Sequence, residues 1–307
     1  KGIDFSGLFA LKVHAASESD LTFTLNDDGE SYSVTDCDTS ASGELVIPSV
    51  YNGLSVTGIN DEAFEVCTKL TTVVLPESLI NIGGWAFNGC AGITSIKIPD
   101  SVTTIDMSAF SNCENLTSIT IPDSVTNIGS HAFLNTAYYN NDKNWEDKVL
   151  YVGAHLVEAK LSISGSYIIK DNTKCIADSA FTLCKKLDSI TIPNSVTRIG
   201  QYAFFNCTNL TSITIPDSVT SISYSAFEEC TNLSSISVAE NNINFSDIEG
   251  VLFNKDKTVL IRYPQGKTNT EYILPNGVIS IGNNAFIGCK NLFDITMPNS
   301  VTSIGDS

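Results

Sequence analysis

The dipeptide Ala-Phe stands at Ala63-Phe64, Ala86-Phe87, Ala109-Phe110 and Ala132-Phe133, a constant step of 23 residues. It returns at Ala180-Phe181, Ala203-Phe204 and Ala226-Phe227 with the same step of 23, and again at Ala285-Phe286. Prolines keep the beat at Pro76, Pro99 and Pro122, then at Pro193 and Pro216, then at Pro275 and Pro298. A short fixed period constrains the fold more than length or composition does. One such unit cannot bury its own apolar face, so the units must stack and share a core.

The unit is cleanest from Ile105 to Val125. Ile119 and Ile121 sit two apart, which turns one face of a short strand inward. Pro122 ends that strand because it has no N–H for the ladder. Val125 and Ile128 line the return, and Gly129 is expected to permit a tight bend. Ala beside Phe sets a small residue against a large one, so that neighbouring coils approach closely. Strands of successive coils then form a parallel sheet at ~4.8 Å spacing, and about ten coils make a body roughly 50 Å long.

The segment Cys-x-x-Leu-x-x-Ile-x-Ile is the leucine-rich-repeat pattern with Cys at its asparagine/cysteine position. The whole unit, Ile-Gly-x-x-Ala-Phe-x-x-Cys-x-x-Leu-x-x-Ile-x-Ile-Pro-x-Ser-Val-Thr, resembles the Treponema pallidum-type repeat of BspA-like surface proteins from about residue 44 onward. That resemblance implies a right-handed leucine-rich-repeat solenoid whose short parallel strands form one curved sheet, secreted or displayed on a cell. It also implies adhesion to host proteins or to other cells, with no enzymatic activity and no cofactor.

The beat fails twice: Phe133 to Phe181 is a step of 48, and Phe227 to Phe286 a step of 59. Each gap holds two apolar runs around a polar turn, Val149–Tyr151 with His155–Val157 and Val251–Phe253 with Val259–Ile261. That pattern reads as a β-hairpin. The gaps are therefore irregular, hairpin-bearing repeats near 137–170 and 239–272 rather than linkers. The first is rich in aromatic residues, with Tyr138, Tyr139, Trp145 and Tyr151. Those rings either cover the hairpin edge or anchor a partner, since exposed Tyr and Trp make good anchors.

Residues 1–43 read as an N-terminal segment and cap, and 44–307 as the solenoid. Leu21–Val34 alternates around Asn26-Asp27-Asp28-Gly29, a hairpin signal that would shield the first coil. Phe5–Val13 reads as a packed segment, with a signal-peptide remnant as the alternative. The last residues stop where another Ala-Phe should fall, which predicts a longer natural protein.

With 34 acidic against 17 basic residues the net charge is −17, which disfavours nucleic acid and anionic lipid as partners. No apolar run approaches the roughly 20 residues of a membrane span, so insertion of this segment is not expected.

Seven of the nine cysteines, Cys67, Cys90, Cys113, Cys184, Cys207, Cys230 and Cys289, share one repeat position. They should stack as free buried thiols, because rungs ~4.8 Å apart exceed the ~3.8 Å Cβ separation of a disulfide. Cys37 and Cys175 lie off that ladder. Metal is not expected: the chain has no Cys-x-x-Cys, and its three histidines, His14, His131 and His155, fall in separate segments. Asp27-Asp28 and Asn140-Asn141-Asp142 match no calcium-loop pattern. The serines two after each proline, Ser101, Ser124, Ser195, Ser218 and Ser300, recur identically, which argues for structure because an active site occurs once.

What remains is the outward sheet face, largely Ser and Thr. Its candidate binding residues are Lys97, Ser118, Thr120, Asp188, Thr191 and Asp294, joined by Tyr139, Trp145 and Tyr151 of the first hairpin. The expected partner is an extracellular host or bacterial protein, with a glycan or a passive spacer role as alternatives.

Overall fold

The computed structural model describes residues 14–223 and 225–306, so Phe5–Val13 lies outside the described part. The chain winds a β-solenoid of about 12 turns with almost no helix. The Ile-x-Ile segments pair in parallel and in register, Ser118 with Ser95, Ile119 with Ile96 and Thr120 with Lys97. The same holds from Ser212 opposite Ser235 to Ile215 opposite Val238. Each coil therefore repeats its neighbour with a shift of one period.

The return side forms a second parallel ladder that the sequence reading did not distinguish. Its strands are only two residues long, Asn81–Ile82, Thr104–Ile105 and Asn127–Ile128, then Cys175–Ile176, Arg198–Ile199 and Ser221–Ile222. Two-residue strands show no alternation to read. They pair nonetheless, because buried backbone N–H and C=O groups must find partners. The inward isoleucines Ile82, Ile105 and Ile128 are fully buried.

Between the ladders runs a column of phenylalanines. Phe64, Phe87, Phe110 and Phe133 stack with ring centroids 4.7, 5.1 and 5.7 Å apart. Phe181, Phe204 and Phe227 continue it at 5.3 and 5.7 Å. The thiols sit beside them: Cys90 Sγ donates to the Phe64 carbonyl at 3.0 Å, and Cys113 Sγ to Phe87 at 3.1 Å. Cys207 and Cys230 do the same to Phe181 and Phe204 at 3.1 and 2.9 Å. Burial lifts the Cys113 and Cys230 thiols to about 12, so they stay protonated and donate. The serines after proline are equally structural: Ser124 Oγ donates to Val102 at 2.9 Å and Ser218 Oγ to Val196 at 2.6 Å.

Gly129 does not make a left-handed turn. The positive-φ corners carry other residues, Trp85 at 53°, Ser108 at 55° and His131 at 59°. Gly129 is needed because a Cβ there would lie 2.3 Å from the Met107 backbone nitrogen of the preceding coil. Gly83 and Gly200 meet backbone atoms of the previous coil in the same way, at 2.6 Å. Gly129→Ala should therefore wedge two coils apart and cost about 1–3 kcal/mol. Urea unfolding checks this, and an unchanged midpoint would mean that the coils have slack.

Both expected hairpins are present, each with one strand more than expected. Val149–Val152 pairs antiparallel with His155–Ala159, and Trp145–Glu146 adds a third strand. In the second insertion Val251–Asn254 pairs with Val259–Arg262, and Phe245–Ile248 adds the third. The last strand of each joins the return ladder in parallel, His155 opposite Cys175 and Val259 opposite Ser280. Near the other end Leu21–Leu25 pairs antiparallel with Ser31–Cys37, which in turn pairs with Leu54–Ile59.

Candidate functional site

Lys97, Ser118, Thr120, Asp188, Thr191 and Asp294 are all exposed, and all but Asp188 stand where the alternation of the first ladder puts them. They do not form one continuous patch. Lys97, Ser118 and Thr120 lie on the adjacent rungs Ser95–Lys97 and Ser118–Thr120. Thr191 faces Ile168 on another sheet segment, and Asp188 occupies a bulge there, skipped between the Leu187–Gly165 and Ser189–Ser166 pairs. Asp294 lies opposite Glu271 on a third segment.

The interruption after Thr120 has a local cause. Thr136 stands where the repeat calls for cysteine, and its Oγ1 accepts the Tyr139 N–H at 3.0 Å, capping a one-turn helix Ala137–Asn140. The Tyr138 N–H reaches the Leu116 carbonyl at 2.8 Å, and the 3-10 turn Asp142–Asn144 that follows falls where the period would put the next strand.

A depression of about 310 Å³ lies around Lys97, between Thr72, Val74, Glu77 and Ser95. A second, of about 410 Å³, is formed by Tyr139, Asn140, Asp142, Trp145, Glu158, Lys160 and Leu161. Tyr139 and Trp145 pack edge to face at 5.1 Å, and the Lys160 ammonium sits 4.8 Å from the indole centroid. Trp145 Nε1–H donates to the Tyr139 carbonyl at 2.7 Å, and the Tyr139 hydroxyl donates to Glu158 at 2.8 Å. Burial raises the Glu158 carboxyl, against that hydrogen bond. Lys160 also pairs with Asp142 at 2.7 Å and holds its exposed carboxyl below the ordinary range.

Tyr151 corrects the picture of an aromatic cluster open to a partner. It is only 5% exposed, its hydroxyl 3.0 Å from that of Tyr167, with the Lys170 ammonium 4.2 Å over its ring. It packs the insertion against the solenoid and offers no contact surface. The sequence reading missed Glu158, Lys160 and Leu161. The signal was one carboxylate inside the otherwise apolar strand His155–Ala159.

The return ladder also brings together His155 and Cys175, with Nδ1 3.4 Å from Sγ, while Nε2 lies 3.0 Å from the Pro122 carbonyl. Such a pair resembles a nucleophile and its base, yet both residues are fully buried. Burial drives the thiol up to about 12 and the imidazole down, so both are held neutral as a structural hydrogen bond. Because the folded imidazole titrates below its ordinary value of 6.5, the fold is favoured while His155 is neutral. That advantage is present above the unfolded value and is lost as pH falls through the folded one. Wild type should lose stability below about pH 6.5 by a component that His155→Gln lacks. Urea melts at pH values on either side of that window check it; parallel pH profiles would remove His155 from the account.

Two stacked ladders, a ring column and inward thiols at one repeated position of the regular turns define a leucine-rich-repeat solenoid. Residues 43–156, 159–271 and 265–307 match the BspA type leucine rich repeat region, in six copies. The chain belongs to that family. No curated protein matches it. Among solved structures it is similar to a leucine rich cell surface protein of Faecalibacterium prausnitzii, at 28% identity and TM-score 0.43 over 94% of this chain and 71% of that one. The pneumococcal vaccine antigen PcpA is similar at 20% identity and TM-score 0.43, covering 94% and 66%. The T. pallidum leucine rich repeat protein is similar at 21% and 0.27, covering 94% and 84%. Proteins of this family are in general interaction scaffolds that bind other proteins and do not catalyse reactions. Among the described residues no helix is long and apolar enough to cross a membrane.

Proposed function

We propose that the chain is a non-enzymatic, surface-displayed binding module of the adhesin type, contacting a protein of a host or of a neighbouring cell. The observation that carries this is a division among its polar residues. Repeat thiols such as Cys90 and Cys113, and serines such as Ser124 and Ser218, donate their hydrogen bonds to carbonyls inside the stack. The strand residues of the outward face, Lys97, Ser118, Thr120, Thr191 and Asp294, remain exposed on a rigid scaffold. Rigid placement keeps the ordering cost of association low. Lys97, Asp188, Asp294 and the exposed Phe293 give the otherwise uniform face its local character. Retention of the intact chain on immobilised extracellular-matrix proteins, plasma proteins and mucins tests the proposal. Saturable capture of one class supports it, and silence across all three with folded protein overturns it.

The depression beside Trp145 supports a second reading, a glycan site. An aromatic ring beside a carboxylate and the Asn140 amide offers both stacking and hydrogen bonding to a sugar. On this reading Trp145→Ala abolishes retention on a glycan array, and a wild type that is not retained ends it.

A further inference from the structure

The dipeptide Asn-Gly occurs at Asn52-Gly53, Asn88-Gly89 and Asn276-Gly277, and the fold treats the three differently. Glycine has no side chain to keep its backbone nitrogen away from the preceding amide carbon, so at this dipeptide the nitrogen can close on that carbon. Two conditions decide whether it does. The asparagine amide must be free to rotate, and the glycine N–H must not be held by an acceptor.

Asn88-Gly89 fails both. The Asn88 Nδ2 donates to Glu65 at 2.9 Å, and its Oδ1 accepts from Asn112 at 2.9 Å. The Gly89 N–H donates to the Ser111 carbonyl of the next coil at 2.9 Å. Asn52-Gly53 is instead the turn of the hairpin that pairs Tyr51 with Leu54, at φ of 50° and 85°. Asn276-Gly277 lies in the turn closed by the Val278 N–H on the Pro275 carbonyl, with Gly277 at 97° where the regular coils carry serine. All four of these residues are exposed, and open space surrounds both glycines on the side where a Cβ would stand. Among the described residues neither of these two asparagine amides is held by a hydrogen bond, and neither is the N–H of the following glycine.

We infer that Asn52 and Asn276 are sites of spontaneous deamidation, with water as the co-reactant, and that the fold protects Asn88. The glycine nitrogen gives up its proton and attacks the asparagine Cγ. The Cγ–Nδ2 bond breaks, the side-chain nitrogen leaves as ammonia, and a five-membered succinimide remains. Water then adds at Cγ, restoring the normal backbone with aspartate, or at the backbone carbonyl, leaving isoaspartate. One water is consumed and one ammonia released, with no change of oxidation state. Each event adds a carboxylate to a chain whose net charge is already −17. Isoaspartate at position 52 also puts one more carbon into the main chain of a tight turn. The neighbouring Tyr51 stacks on Phe23 at 4.1 Å and meets Tyr32 edge to face at 5.1 Å, so this product loosens the turn against the N-terminal hairpin. Both sites are independent of any ligand of the outward face.

The test incubates the intact chain at mildly alkaline pH, folded in buffer and unfolded in guanidinium chloride, until conversion in the unfolded sample is well advanced. Cleavage after Lys69, Lys97 and Lys267 places the three asparagines on separate peptides, each weighed for the exchange of NH2 for OH. In the unfolded chain all three should convert at similar rates, because glycine follows each of them. In the folded chain Asn52 and Asn276 should convert, with Asn88 slower by about tenfold or more, since local opening must first break the hydrogen bonds that hold it. Folded Asn88 converting as fast as the other two overturns the proposal. So does either Asn52 or Asn276 remaining intact in the folded chain while the unfolded chain converts.

Discussion

Phe110→Ala should destabilise the solenoid by about 3–5 kcal/mol, the range for removing a buried phenyl ring. Phe110 is fully buried and stacks on both sides, 5.1 Å from Phe87 and 5.7 Å from Phe133. Its removal opens a void across two coil interfaces at once. In a linear array each coil is held by its neighbours, so the loss uncouples the coils on either side. Phe293→Ala provides the control. That ring is 83% exposed, and its removal should change stability by less than about 0.5 kcal/mol. Urea unfolding of the two variants separates the cases. Equal, small effects would mean that the ring column does not hold the stack.

Arg262→Ala should cost about 3 kcal/mol or more, although alanine is the residue the repeat uses at that position. The Tyr263 N–H bonds the Ala285 carbonyl as the Phe204 N–H bonds that of Ala226. Arg262-Tyr263 therefore stands in place of an Ala-Phe pair. The arginine is 1% exposed. Its NH1 donates to the Asn284 carbonyl at 2.8 Å and its NH2 to the Phe227 carbonyl at 3.2 Å. In a regular coil a phenylalanine carbonyl receives the next coil's thiol, but Gly266 stands at that cysteine position and the guanidinium takes the thiol's place. Truncation leaves the buried Phe227 carbonyl and the part-buried Asn284 carbonyl without these donors, and a cavity besides. The readout is again the unfolding free energy. A stabilised variant would show that the consensus residue is better even beside the insertion.

Sequence revealed what the repeat writes many times. The inward Ile-x-Ile strands, the buried free thiols and the serines after proline could be read because equivalent residues recur and only a structural demand recurs with them. The two hairpins were legible because the beat fails there while apolar alternation persists. Features that occur once were hidden. The helix Ala137–Asn140 depends on a single Thr136 cap. The His155–Cys175 contact joins strands 20 residues apart. Tyr151 was readable as aromatic but not as buried, because its cover comes from Tyr167 and Lys170 on other segments. Gly129 carried the right residue for a different reason, a contact with the Met107 nitrogen rather than a turn. Strand alternation made the exposure of Lys97, Ser118, Thr120, Thr191 and Asp294 legible, but the breaks that divide that face into segments were not visible.

The most direct test of the account compares the binding of wild type with that of Lys97→Ala/Asp188→Ala/Asp294→Ala, using whichever extracellular protein the chain captures. Melting curves are recorded in parallel. All three side chains are exposed, so the fold should melt as wild type does. The account predicts a Kd weakened by about tenfold or more, which is 1.4 kcal/mol or above. An unchanged Kd in a normally folded triple variant would contradict it, because binding would then not depend on the outward face of the solenoid.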